Sequence, residues 1–267
     1  MPGSGGHTRL VQDVSLTFSP VYRTKTGLRL FIHPDAPAVA AAAARHFHAR
    51  ASSAIAVSGR FTVALSGGAT PRAVYAELVK DLDLNWTKIH IFWGDERCVP
   101  PTHSDSNYRL AMDHLLNQLP VPEANIHRIK TELGAKQAAA AYATELQTFF
   151  KLEPGALPRF NMILLGMGAD GHTASLFPGT AALHDGTHLV VSNSGPNLDE
   201  ERITLTYPVL NAAAWVIVHV CGHGKSAAVK AVLDTPPQPE LLPMQGVQPM
   251  HGELVWLIDQ AAASALD

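Results

Sequence analysis

Short apolar runs rich in β-branched and aromatic residues alternate along the sequence with longer stretches of helix-forming residues. Such runs are typical of buried strands, and they lie at 28–32, 61–65, 89–93, 161–165, 215–220 and 254–258. The longer stretches predict helices at 36–55, 71–80, 107–116, 135–150 and 225–233. The alternation predicts an α/β fold with a doubly wound, mostly parallel sheet and helices on both faces. Two shorter stretches, 188–192 and 202–206, are candidates for extra or edge strands.

The length of the chain indicates how many domains to expect. The 267 residues, of which 46% are hydrophobic, suffice to bury a full core. α/β proteins often reach this length as a single unit. We therefore expect one domain over residues 1–267, with a flexible tail at the Gly-rich start, 1–6.

Charge, cysteine content and hydropathy narrow the range of partners and locations. With a formal net charge of -3, the chain has no general field that attracts nucleic acid or an anionic membrane. Cys98 and Cys221 are too few for a disulfide framework, so a reducing cytoplasm is expected. Neither a signal peptide nor a membrane-spanning apolar stretch is recognisable. An anionic ligand must then be held by a few local cations.

A glycine-rich turn, SGGATP at 66–71, follows the second predicted strand. Thr70 is suited to cap the N-terminus of the next helix, and Pro71 to occupy its first position. The two glycines let backbone N–H groups approach an oxygen-rich ligand, and the helix N-terminus adds free donors and partial positive charge. The turn therefore has two interpretations, a phosphate-binding loop or a simple strand-to-helix turn.

Three adjacent charged residues, Asp95, Glu96 and Arg97, follow the third predicted strand. The guanidinium of Arg97 offers a planar fork of donors that keeps its charge near neutral pH. It therefore suits a phosphate, a carboxylate or developing negative charge. A solvated surface loop is the alternative interpretation. Ligands in open parallel sheets bind at the carboxyl ends of the strands, where this turn is expected to lie.

The segment GMGADG at 166–171, directly before His172, has the spacing GxGxxG after a strand. A dinucleotide-binding role is disfavoured because Pro178 would end the following helix early and position 191 holds valine instead of an acidic residue. We expect the glycines to bend the loop so that Asp170 and His172 project over the end of the sheet. An imidazole can take a proton from water near neutral pH, which makes His172 a candidate general base.

Two further cations, Arg202 and Lys225, are positioned to close on a phosphate. His219, Cys221 and His223 alternate along a strand and permit a metal-site hypothesis, but no fourth ligand is evident and no metal is expected. The sequence contains no GxSxG segment, and no cysteine or serine is marked as a nucleophile. Attack by activated water is therefore favoured over covalent catalysis.

These segments together resemble the 6-phosphogluconolactonase family. The matching stretches are LSGGATP at 65–71, WGDER at 93–97 with Val99-Pro100 and Ser106-Asn107, and GMGADGHTASLFPG at 166–179. They are followed in the expected order by RITLT at 202–206, Gly224-Lys225 and the tail 254–263. Each stretch is moderately specific, whereas the ordered set is highly specific and runs through most of the chain. Pro101 and His223 depart from the family pattern without affecting the assignment.

The resemblance implies a Rossmann-like fold and hydrolysis of 6-phospho-D-glucono-1,5-lactone to 6-phospho-D-gluconate in the oxidative pentose phosphate pathway, with no cofactor. It implies that His172 is the general base, that Arg97 is a cation near the lactone, and that Asp170 belongs with these catalytic residues. The residues expected to bind the substrate are Ser66, Gly67, Gly68, Thr70, Asp95, Arg202 and Lys225. We expect a monomer that binds this small molecule and neither nucleic acid nor membrane.

Two alternatives remain open. Glucosamine-6-phosphate deaminase/isomerase shares the glycine turn and the DGH motif. Its loops typically read DEY and DGHIAFNEP, where this chain has DER at 95–97 and DGHTASLFP at 170–178. A non-catalytic sugar-phosphate sensor would keep the pocket, but retention of His172 and its flanking glycines argues against it.

Overall fold

The computed structural model describes residues 21–23, 29–195 and 198–266; the expected tail at 1–6 and residue 28 of the first predicted strand lie outside these ranges. In chain order its strands are β1 (Val21–Arg23), β2 (Arg29–His33), β3 (Phe61–Leu65), β4 (Ile89–Trp93), β5 (Asp95–Arg97), β6 (Met162–Leu165), β7 (Val190–Asn193), β8 (Arg202–Leu205), β9 (Trp215–Val220) and β10 (Glu253–Asp259).

The main sheet contains seven strands in the order β1-β2-β10-β9-β6-β3-β4. β1 is antiparallel to β2, and the other six strands are mutually parallel. These six are the strands predicted from the sequence, so the predicted α/β fold with a mostly parallel sheet is confirmed. Every residue of β3 and of β6 is buried, which is why both strands read as uninterrupted apolar runs.

A second, three-stranded antiparallel sheet has the order β5-β8-β7. β7 and β8 correspond to the two candidate extra strands at 188–192 and 202–206, and they form this separate sheet instead of extending the edge of the main one. β5 was not predicted. Its three residues are charged, and they form a strand because they pair with β8, about a hundred positions later.

The helices of the described ranges are α1 (Ala36–Ser58), α2 (Ala69–Leu78), α3 (Asn107–His114), α4 (Ala135–Phe150), α5 (Tyr207–Ala212) and α6 (Ser226–Asp234). The five predicted helices are present, and only the short α5 was missed. The expectation that Thr70 caps α2 is wrong. Gly68 is the cap, because its φ of 105° favours glycine and its carbonyl accepts the N–H of Arg72 at 3.2 Å.

The order of the strands determines where loops converge. From β3 the chain passes outward to β4 at the sheet edge, and β6 then lies on the other side of β3. The loops after β3 and β6 therefore leave adjacent strand ends in opposite directions, which opens a crevice at this switch point. No helix in the described ranges is long and apolar enough to cross a membrane.

Candidate active site

A cleft of about 380 Å³ opens at the carboxyl ends of the central strands. It is formed by the loops after β3, β6 and β9, together with β5 and the start of α3. The predicted site residues that line it are Ser66, Gly67, Gly68, Thr70, Asp95, Arg97, His172 and Lys225. Asp170 and Arg202 do not line it, and each is adjacent to a residue that does.

His172 and Asp170 form a hydrogen-bonded pair on the loop after β6. The distance from Nδ1 of His172 to the Asp170 carboxylate is 2.6 Å. This hydrogen bond lowers the pKa of Asp170 to about 2, although partial burial opposes the shift. Asp170 is therefore ionised near neutral pH and can only accept, so Nδ1 must carry the proton. In the neutral ring, Nε2 then keeps its lone pair free to accept a proton.

Two glycines of the GxGxxG segment make room for this pair. A Cβ on Gly168 would lie 2.1 Å from Nδ1 of His172 and 2.3 Å from the Asp170 carboxylate. Gly171 has a φ of 79°, which favours glycine, and its backbone lies against Leu242. The glycines thus shape the loop around His172, in agreement with the expectation that they bend it over the sheet end.

Arg97, Asn107, Asp95 and Ser175 form a continuous polar network across the cleft wall. Arg97 donates to the side-chain oxygen of Asn107 at 2.8 Å, and Asn107 donates to the backbone carbonyl of Asp95 at 2.9 Å. The buried Asp95 carboxylate accepts the Ser175 hydroxyl at 2.6 Å. Because Ser175 follows His172 by three residues, the network ties the loop of β6 to β5 and α3.

Glu96 anchors the N-terminus of α3 from the opposite face of β5. Its buried carboxylate accepts backbone N–H groups of Asn107, Tyr108 and Arg97 at 2.7 to 2.9 Å. Burial raises the pKa of Glu96 to about 7, although these three donors oppose the shift. Glu96 therefore holds Arg97 and Asn107 in place without lining the cleft.

The glycine turn after β3 presents unused donors to the cleft. Within the described residues, the backbone N–H groups of Gly67, Gly68 and Ala69 donate no hydrogen bond. The hydroxyl of Ser66 is buried and also lacks a partner there. A Cβ on Gly67 would lie 1.7 Å from the Asn107 side-chain oxygen, so only glycine lets the turn pack against Asn107. These donors and the N-terminus of α2 suit an anion.

Lys225, directly before α6, lines the same cleft as this turn. Its ammonium group forms no ion pair within the described part of the chain. The loop is held by Asp259, whose buried carboxylate accepts the N–H of Gly222 at 3.0 Å. Arg202 lies opposite Arg97 in the β5–β8 pair, and its guanidinium donates to the carbonyl of Glu200. Burial, with a smaller effect of Arg97, lowers the pKa of Arg202.

The metal-site hypothesis for His219, Cys221 and His223 finds no support in the geometry. His219 is buried in the sheet, whereas His223 is exposed and contacts Ser264 at 3.0 Å. Among the described residues, no group of three or more His, Cys, Asp or Glu side chains is arranged to hold a metal ion. Burial raises the pKa of the Cys221 thiol to about 12, so this lining residue is a poor nucleophile near neutral pH.

Sequence reasoning did not assign Asn107, Ser175 or His219 to the site. Asn107 and Ser175 were visible only as parts of the matching motifs. Asn107 bonds to Arg97 and Asp95, 10 and 12 positions away, and Ser175 bonds to Asp95, 80 positions away. His219 was considered only as a metal ligand. A histidine inside the otherwise apolar strand WVIVHV is unusual, and this could have marked His219 from the sequence.

Comparison with known proteins identifies the family. The model of the family described as "Glucosamine-6-phosphate isomerases/6-phosphogluconolactonase" matches residues 34–256. A 6-phosphogluconolactonase of Synechocystis sp. is 45% identical over 218 residues, which cover 81% of this chain and 89% of that protein. A 6-phosphogluconolactonase of Nostoc sp. is 43% identical over 235 residues, covering 87% and 96% of the two chains. The resemblance noted from the motifs is thereby confirmed.

Solved structures agree with this assignment. The devB protein superimposes with a TM-score of 0.82 at 34% identity, covering 90% of this chain and all of that one. A monomeric glucosamine-6-phosphate deaminase has a TM-score of 0.72 at 18% identity, covering 89% and 100% of the two chains, and shares the fold alone. The chain thus belongs to the glucosamine-6-phosphate isomerase/6-phosphogluconolactonase family.

Proposed function

We propose that this protein is a 6-phosphogluconolactonase, which hydrolyses 6-phospho-D-glucono-1,5-lactone to 6-phospho-D-gluconate in the oxidative pentose phosphate pathway. The observation that carries the proposal is the His172–Asp170 pair beside a cleft in which, among the described residues, Lys225 forms no ion pair and the N–H groups of the glycine turn donate no hydrogen bond. Hydrolysis of a phosphorylated lactone uses both parts: a base that activates water and a site that binds the phosphate.

The phosphate is held by Lys225 and by the donors of the turn at 66–70. Lys225 supplies a full positive charge, and the N-terminus of α2 supplies oriented dipoles. Both line the same cleft, so both attract an anion that enters it. Arg202 adds positive charge at the border of the cleft beside Arg97. Fixing the phosphate places the lactone carbonyl in a defined position relative to His172.

His172 acts as the general base. Nε2 takes a proton from water as the water oxygen attacks the lactone carbonyl, and a tetrahedral oxyanion forms. Arg97 stabilises this negative charge from the wall of the cleft. The bond between the carbonyl carbon and the ring oxygen then breaks, and the protonated imidazole returns its proton to that oxygen. The products are a free carboxylic acid, which ionises, and a hydroxyl group.

The two aspartates have different roles in this scheme. Asp170 is a positioning residue, because its ionised carboxylate orients the ring of His172 and favours the imidazolium that forms during the reaction. Asp95 lines the cleft with its carboxylate already bonded to Ser175, so it is placed to accept a sugar hydroxyl. Neither residue is needed as a nucleophile.

The assay that tests the function compares two substrates. We expect the purified chain to accelerate opening of the phosphorylated lactone well above its spontaneous hydrolysis, measured as an initial rate. We expect no ammonia release from glucosamine 6-phosphate. Ammonia release without lactone acceleration would assign the protein to the deaminase branch of the family, and binding of the lactone without turnover of either substrate would indicate a sensor.

We further infer that the protein works as a single-domain monomer in the cytoplasm, on a small molecule and without nucleic acid or membrane. The free thiols of Cys98 and Cys221 support a reducing compartment. The near-neutral net charge of -3 supports the absence of a polyanionic partner.

A further inference from the structure

A segment between α6 and β10 contacts the loop that carries His172. Residues 238–246, here called the brace, end in a single turn of 3₁₀-helix, Pro243–Gly246. They all lie within the described ranges, and none of them lines the cleft. The brace therefore does not touch a substrate in the cleft, yet it contacts the residue directly before His172.

Three contacts join the brace to the loop after β6. The backbone N–H of Met244 donates to the carbonyl of Gly171 at 2.9 Å. The N–H of Gly179 donates to the carbonyl of Glu240 at 3.1 Å. The side chain of Leu242 fills the space beside Gly171, where an added Cβ would lie 2.8 Å from the Cδ2 atom of Leu242. The brace thus holds the loop at two separate places.

The brace is held in turn by side chains that bond to its backbone. The hydroxyl of Tyr207, at the start of α5, donates to the carbonyl of Pro243 at 2.7 Å. The buried side chain of Gln245 accepts the N–H of Gln238 at 2.6 Å and donates to the carbonyl of Val232 at 3.1 Å. Buried polar groups that are paired in this way give a segment one defined conformation. The brace is therefore a fixed support for the loop after β6.

Gly171 depends on this support because glycine has no side chain with which to pack. Two hydrogen bonds inside the loop fix its shape, from the N–H of Gly168 to the carbonyl of His172 at 2.8 Å and from the N–H of Gly171 to the carbonyl of Gly168 at 3.2 Å. They do not fix the position of the loop relative to the cleft. The side chains of Asp170 and His172 are 50% and 30% exposed, so they follow the backbone that carries them. A shift of Gly171 would therefore move this pair.

We propose that Leu242 is a positioning residue for lactone hydrolysis, which holds the loop after β6 where Nε2 of His172 meets the attacking water. This inference rests on the proposed lactonase function and adds a residue that does not touch the substrate. Leu242 is half-buried and packs against the apolar core, so the fold sets its position. Removal of its side chain leaves a gap beside Gly171 into which the loop relaxes. A displacement of about 1 Å is enough to slow a reaction strongly.

The test compares Leu242→Ala with the neighbouring Leu241→Ala, whose side chain is 63% exposed in the wild type. In Leu242→Ala, kcat for the phosphorylated lactone should fall about 5- to 20-fold, because His172 is displaced. KM and the increase in Tm caused by inorganic phosphate should stay near the wild-type values, since the phosphate site lies on other loops. Leu241→Ala should match the wild type within about twofold in kcat and KM. The conservative variant Leu242→Met keeps the volume and should recover most of kcat.

A double-mutant cycle separates positioning from a merely structural role. If Leu242 acts through His172, adding Leu242→Ala to His172→Ala should not lower the residual rate above spontaneous hydrolysis any further. A structural role would lower the rate by the same factor in both backgrounds and would also weaken the Tm response to phosphate. Either that result or wild-type kcat in Leu242→Ala would overturn the proposal.

Tyr207→Phe loosens the brace without creating a cavity, because it removes only the hydroxyl that donates to Pro243. It should lower kcat in the same direction by about two- to fivefold and leave KM unchanged. If Leu242→Ala does not fold, Tyr207→Phe takes its place in the cycle with His172→Ala. Wild-type kcat in Tyr207→Phe would then overturn the proposal.

The positioning role and the lactonase function fail in different ways. If the wild type opens the lactone and Leu242→Ala is unimpaired, the role of Leu242 is wrong and the lactonase function stands. If the wild type instead releases ammonia from glucosamine 6-phosphate, and Leu242→Ala slows that reaction only when His172 is present, the lactonase function is wrong and the positioning role stands. A wild type that is inactive on both substrates would overturn both.

Discussion

His172 is fixed by three neighbours on its own loop. The Asp170 carboxylate holds Nδ1 at 2.6 Å, the ring of Phe177 packs against the imidazole with centroids 4.2 Å apart, and Gly168 leaves the space beneath both groups. The sequence marked this loop through a motif usually associated with nucleotides. The structure gives the glycines another function, because the His172–Asp170 pair occupies the volume that a side chain at 168 would need.

Gly168→Ala should therefore impair catalysis more than folding. The added methyl group would overlap Nδ1 of His172 and the Asp170 carboxylate, and these side-chain ends can swing away while the backbone is retained. We expect kcat/KM to fall about 10- to 100-fold, since a displacement of about 1 Å is enough to misplace a catalytic group. Steady-state kinetics measure the loss of catalysis, and the Tm of the same preparation measures the effect on folding.

The matched control is Gly186→Ala, in a loop outside the cleft. An added Cβ there has no neighbour within 4 Å, and φ is not in the left-handed region. The kcat and KM of this variant should stay within about twofold of the wild type, because substitutions at the surface that contact neither the core nor the active site have little effect. Equal activity of the two alanine variants would contradict the packing explanation for Gly168.

At the scale of elements, the junction of β5 and α3 was the part least accessible from the sequence. The segment DER was predicted as a charged turn, and only its long-range pairing with β8 makes it a strand. Burial of Glu96 could not be foreseen either, because a carboxylate is normally exposed unless partners are available. Its partners are backbone N–H groups at the start of α3, which no side-chain pattern reveals.

Glu96 predicts a pH dependence of stability. Its pKa is about 7 in the folded protein against an ordinary value of 4.5, so between these values the folded chain retains a proton that the unfolded chain has lost. The free energy of unfolding should therefore fall as pH rises through this window. Glu96→Gln lacks this titrating group. The difference in free energy of unfolding between the wild type and Glu96→Gln should therefore change by about 1 to 3 kcal/mol between about pH 5 and pH 8.

Urea unfolding at several pH values provides the measurement. The control variant is Glu77→Gln, which alters a half-buried carboxylate on α2 that is paired with the exposed Lys80 at 2.7 Å. Its stability should remain within about 0.5 kcal/mol of the wild type, as expected for a surface ion pair. Parallel stability curves for the wild type and Glu96→Gln would show that this carboxylate does not couple protonation to folding.

At the scale of the whole molecule, the alternation of strands and helices predicted the fold class but not the order of the strands. The six parallel strands and five of the helices are visible in local composition, because burial on both faces demands continuous apolar runs. The switch point between β3 and β6 depends on which strands pair, and local patterns do not encode this. The cleft exists because of that order.

The same division applies to the site. Residue type at the ends of predicted strands was enough to predict the glycine turn, Arg97, His172 and Lys225 as site residues. The fold brings them to one cleft. Asn107 and Ser175 act through hydrogen bonds that join β5 to the start of α3 and to the loop after β6, so their positions in the network could only be read from the structure. The exact start of α2 also depended on the backbone conformation of Gly68.

The most direct test of the account is the initial rate of lactone opening by His172→Ala, measured above spontaneous hydrolysis and compared with the wild type. Removal of the general base should lower kcat by about 10²-fold or more, while KM stays near the wild-type value because the phosphate site is intact. Near-normal turnover by His172→Ala would contradict the assignment of His172 as the residue that activates water.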